Sequence, residues 1–76
     1  MNNDKRKRLA GAMEILARAL ETVDAVTDEE QECLDSFPES LQNNSRYEKM
    51  ENAVDMLIDA SEQISSAIDC IQEAIN

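Results

Sequence analysis

The stretch "ENAVDMLIDASEQISSAIDCIQEAI", Glu51 to Ile75, decides the fold. Alanine returns every seventh residue at Ala53, Ala60, Ala67 and Ala74. Beside that row runs a second one: Tyr47, Met50, Val54, Leu57, Ser61, Ile64, Ile68, Ile71 and Ile75, spaced alternately by three and four. Such spacing places large apolar side chains on one face of an α-helix as a heptad seam, with the alanines along its flank. Glu48, Asp55, Glu62 and Asp69 keep the same seven-residue period on the opposite face. Ser45 and Glu48 have the spacing of a capping box, which predicts that the helix starts there.

Working back toward the N-terminus, the same scheme recurs. Leu9, Met13, Leu16, Leu20 and Val23 form a seam that resumes at Leu34 and Phe37. Ala12, Ala19, Val26 and Cys33 take the flanking position. Asp4 is a candidate N-cap, and Pro38 ends the helix because the residue before a proline is driven from helical geometry. The prediction is an all-α chain with a single domain over residues 1–76. Helix 1 runs over about 4–36, a turn over about 37–45 and helix 2 over about 46–75, folded as an antiparallel hairpin. Phe37, Leu41 and Tyr47 are expected to plug the turn.

An apolar stripe that includes the alanine flank covers three positions in seven, too wide for one partner helix to bury. Seventy-six residues also make a domain too small to be comfortable alone. Pairing of two hairpins into a four-helix bundle, a homodimer or a larger oligomer, meets both demands. Its core would be built from Leu16, Leu20, Val54, Leu57, Ile64, Ile68 and Ile71. A hairpin that keeps the face for a different protein is the alternative.

Three residues break the pattern and form a possible polar site: Thr27, Glu30 and Ser61. Thr27 and Glu30 occupy consecutive seam positions, where an unpaired buried carboxylate is costly. Either "TDEE" is a capping box at a break in helix 1, or the helix is continuous with Glu30 at the bundle edge, or Glu30 is functional. Ser61 reads as a packing or register device.

The chain carries 17 acidic and 7 basic residues and no histidine, for a net charge of −10. Four of the basic residues are consecutive, Lys5 to Arg8, and from residue 9 onward the balance is −13. Such a surface repels nucleic acid and anionic lipid and attracts basic proteins, or simply keeps an apolar-striped helix in solution. The row Glu48, Asp55, Glu62 and Asp69 is the candidate partner-binding face. The basic cluster lies at a helix N-terminus, against the macrodipole. In a hairpin it comes beside Asp69, Glu73 and the chain's end, which would neutralise it. The other use for Lys5, Arg6, Lys7 and Arg8, with Arg18, is to hold a small anionic, nucleotide-like molecule.

Catalytic chemistry finds no foothold. Neither cysteine has a basic neighbour in a recognisable motif, Gly11 stands alone, and no phosphate loop is present. Glu51, Asp55 and Asp59 are spaced like helical metal ligands, but the Glu-x-x-His partner of di-metal bundles is missing. No enzyme activity, metal or cofactor is expected. Cys33 and Cys70 have no metal-ligand spacing, fall at opposite ends of a hairpin, and suit a reducing, cytoplasmic setting. No signal peptide or membrane span is read.

Within "EEQECLDSFPESLQNNSRYEKMENAVDMLIDA", the residues Glu29-Glu30-Gln31, Asp35, Pro38-Glu39-Ser40-Leu41-Gln42, Arg46, Met50-Glu51, Ala53 and Asp55 resemble small phage- and prophage-encoded acidic helical proteins. The resemblance covers about residues 28–75. It implies a phage setting in a host cytoplasm, where small non-enzymatic proteins often inhibit host or defence proteins, and it carries no site residues. Three functions follow as expectations. The first is an inhibitor that binds a host protein through its acidic face, the second a sequestering protein for a small anion, and the third a structural scaffold.

Overall fold

A computed structural model describes residues 1–76. Two long α-helices, α1 (Asn3–Asp35) and α2 (Ser45–Ile75), pack side by side as an antiparallel hairpin, with a single 3-10 turn over Glu39–Leu41 between them. There is no strand. The molecule is a rod of 59 × 14 × 14 Å, as two adjacent helical cylinders require.

Both helix starts differ from expectation in the residue that caps them. Asn2, with extended backbone, caps α1, its side chain accepting a hydrogen bond from the Lys5 amide at 2.9 Å. Asp4 is already helical and lies in the first turn, where its charge complements the dipole and pairs with Arg8 at 3.3 Å. Asn44 caps α2, taking the Arg46 amide at 2.7 Å. Ser45 is therefore the first helical residue, and the Ser45/Glu48 capping box does not form. In each case an asparagine just upstream presents a carbonyl oxygen to a free amide of the first turn. Asparagine caps at least as well as serine or aspartate.

α1 ends where the Ser36 amide bonds back to the Glu32 carbonyl and Phe37 precedes Pro38. The Phe37 and Tyr47 rings then meet with centroids 5.3 Å apart and planes tilted by 59°. They close the turn end as expected, but Leu41, on the 3-10 turn, is exposed and does not plug it.

Helix 1 does not break at Thr27. That hydroxyl donates to the Val23 carbonyl at 2.6 Å, one turn back within an uninterrupted helix. A capping threonine would instead need extended backbone and a free amide ahead of it. Glu30 accordingly sits half-buried at the edge of the helix pair, where its carboxylate reaches water.

Burial follows the predicted seam but stays shallow. Leu9, Met13, Leu16, Leu20, Val23 and Leu34 of α1 are half-buried. So are Met50, Leu57, Ile64, Ile68, Ile71 and Ile75 of α2. Val54, 3% exposed, is the only buried residue in the chain. Two helices touch along one line, and side chains beside that line keep one flank in solvent. The exposed surface is 5710 Å², against about 4,700 Å² for a compact monomer of this mass. The surplus is about 1,000 Å².

Candidate functional site

The candidate surfaces follow from how the two helices are registered. Near the middle of the rod the Ser61 hydroxyl donates to Asp24 Oδ1 at 2.7 Å, joining α2 to α1. At the open end Arg6 Nε donates to the Ile75 carbonyl at 3.1 Å. A cation thus meets an orphan carbonyl of the last turn of α2, where the macrodipole favours it. With the Phe37–Tyr47 ring pair, these contacts fix the register at both ends and the centre.

One flank of the rod is acidic. Asp24, Thr27 and Asp28 of α1 and Ile58, Ser61 and Glu62 of α2 line a shallow open depression between the helices. Thr27 and Ser61 thus come to one place, while Glu30 is not part of it. Both hydroxyls are already committed, Thr27 to the Val23 carbonyl of its own helix and Ser61 to Asp24 across the pair, so Ser61 with Asp24 works as a register contact rather than a ligand site. Asp24 is the residue that sequence reasoning missed. It is one acid among many on α1, and only the cross-helix register distinguishes it.

The partner-binding candidates Glu48, Asp55, Glu62 and Asp69 are all exposed on α2. Their seven-residue period sets them about 10 Å apart along a span of about 30 Å. None of them has a cation partner in the hairpin, whose single ion pair is Arg8–Asp4. Four uncompensated carboxylates in file make a negative stripe whose field adds along the rod.

The basic N-terminus lies beside the end of α2, as the hairpin requires, but its contacts differ from those expected. Arg6 contacts the Ile75 carbonyl and Arg8 pairs with Asp4 on its own helix; neither bridges to Asp69 or Glu73. Lys5 and Arg8 border an open depression with Met1 and Leu9. Arg18 stands about 15 Å further along α1 than Arg8, so the five basic residues do not converge. With Arg6 and Arg8 already engaged, an anion would meet an exposed, partly spent cluster rather than an enclosed pocket.

No three acidic or cysteine side chains come together as metal ligands. Cys33, near the turn, and Cys70, near the open end, are both free and exposed. No helix is long and apolar enough to cross a membrane. Comparison with family models, with curated proteins and with solved structures found no match.

Proposed function

We propose that this chain is a non-enzymatic, self-associating helical binding protein that engages a basic surface of a partner protein through its acidic face. The observation that carries the reading is the file of exposed, unpaired carboxylates at Glu48, Asp55, Glu62 and Asp69. Beside it, Asp24 and Asp28 of α1 add charge across the depression from Glu62. A rigid negative stripe steers and orients a positive partner, giving fast association that salt suppresses. Self-association is supported by the surplus surface of the lone hairpin. In the phage setting that the sequence resemblance suggests, the partner is a host protein and the outcome of binding is inhibition.

The test is fourfold neutralisation, Glu48→Gln, Asp55→Asn, Glu62→Gln and Asp69→Asn, in one chain. These positions are exposed and away from the seam, so helicity and oligomer mass should be unchanged. Capture of basic proteins from host lysate should weaken, and what remains should lose its salt dependence. Undiminished, salt-sensitive capture by the neutralised chain would show that the stripe only keeps the rod in solution.

A further inference from the structure

The two flanks of the helix pair carry opposite chemistry. The Asp24–Ser61 hydrogen bond and the depression around it show which sides of α1 and α2 meet on the acidic flank. At about 100° per residue, the sides lying across the seam from these hold Ala12, Ile15, Ala19 and Val26 on α1. On α2 they hold Ala53, Met56, Ala60 and Ala67. Antiparallel packing puts both sets on the same flank. Its large members protrude from the hairpin: Ile15 is 66% exposed, Met56 57% and Val26 41%. Between Ala12 and Val26 on α1, and between Ala53 and Ala67 on α2, no carboxylate falls on this flank, although the chain has 17.

We infer that a second copy of the chain packs on this flank, closing a four-helix bundle with the alanine rows at the contact. The inference rests on the self-associating part of the proposed function and assigns it a surface. Area permits it: the lone rod leaves about 1,000 Å² more surface open than a compact monomer of its mass, enough for the roughly 800 Å² that each partner contributes to a standard interface. Charge selects the occupant. Two chains of −10 repel wherever their carboxylates face each other, and this flank is where they can meet without that cost. A basic protein would be drawn instead to the opposite, acidic flank. The alanines let backbones approach closely, while Ile15, Val26 and Met56 fill the space between them. A symmetric contact also brings both copies' exposed apolar residues under cover at once.

The test compares Ile15→Glu and Met56→Glu with Ile58→Glu on the acidic flank, where Ile58 is 42% exposed. Sedimentation equilibrium of each full chain reads the dissociation constant, and circular dichroism follows helicity. Ile15→Glu and Met56→Glu should each weaken association at least about tenfold, because an unpaired charge enters the contact. Ile58→Glu should leave association within about twofold of the parent. Raising salt should strengthen self-association, the reverse of its effect on partner capture. If the chain dimerises but only Ile58→Glu dissociates it, the assigned flank is wrong while self-association stands. If the parent chain stays monomeric and helical up to millimolar concentration, both fall.

Discussion

The seam is built unequally by the two helices. Along α2 it is apolar from Met50 to Ile75 apart from Ser61, and it contains the one buried side chain, Val54. Along α1 it is apolar only as far as Val23; from there Thr27, Glu30 and Gln31 occupy the half-buried positions until Leu34. Where α1 is apolar both helices contribute to burial, and opposite the polar stretch α2 supplies it alone, at Val54. Where it turns polar, one directional contact crosses the pair, Ser61 to Asp24, while Thr27 bonds only within its own helix. Burial supplies adhesion and the Ser61–Asp24 bond adds register, because an apolar seam alone tolerates sliding by a heptad far better than a hydrogen-bonded one.

Charge placed in the α2 seam tests the strongest side of that contrast. Ile64→Glu or Leu57→Glu puts a carboxylate where no cation waits, and should cost several kcal/mol, enough to unfold and dissociate a chain this small. Circular dichroism should show loss of helix at neutral pH in micromolar solution. A folded, associated Ile64→Glu chain would mean that the seam is not a core.

A smaller effect separates the two helices at one level. Val54→Ala removes two methyl groups from the one enclosed position and should cost about 2 kcal/mol. Glu30→Ala, on the facing polar stretch of α1, should stay within about 0.5 kcal/mol, because the half-buried carboxylate already reaches water. Urea midpoints measured side by side decide this. Equal losses at both positions would erase the distinction between the apolar side of the seam on α2 and its polar side on α1.

A local effect belongs to Ser61→Ala. The bond to Asp24 lies in solvent, and water replaces the lost donor, so stability should fall by no more than about 1 kcal/mol. Amide exchange should rise locally around Asp24 and Ser61, with the ends of the rod unchanged. A large global loss would make this contact part of the core rather than a marker of register.

The hairpin was legible because its governing signal is periodic. Heptad spacing of Leu9 to Val23 and of Met50 to Ile75 determines which side chains share a helical face whatever the helices pack against. The acidic file on α2 was legible for the same reason. Helix ends were less so: Asn2, Asp4, Asn44 and Ser45 are all good caps, and the choice among them depends on backbone angles that no spacing rule encodes. The continuity of α1 through Thr27 was undecided, because threonine followed by "DEE" suits a capping box and a helix interior alike. The Asp24–Ser61 pair was beyond sequence reading altogether, because it depends on register between the helices, set by the turn from Ser36 to Asn44.

Thermal unfolding at several protein concentrations reads self-association from the folded chain itself. For an assembly whose single chain buries one side chain, folding and association are one event, so the midpoint must rise with total concentration. That rise is expected, together with a native mass in the folded state of at least twice the 8.5 kDa chain. A cooperative, concentration-independent transition at a native mass of 8.5 kDa would contradict it.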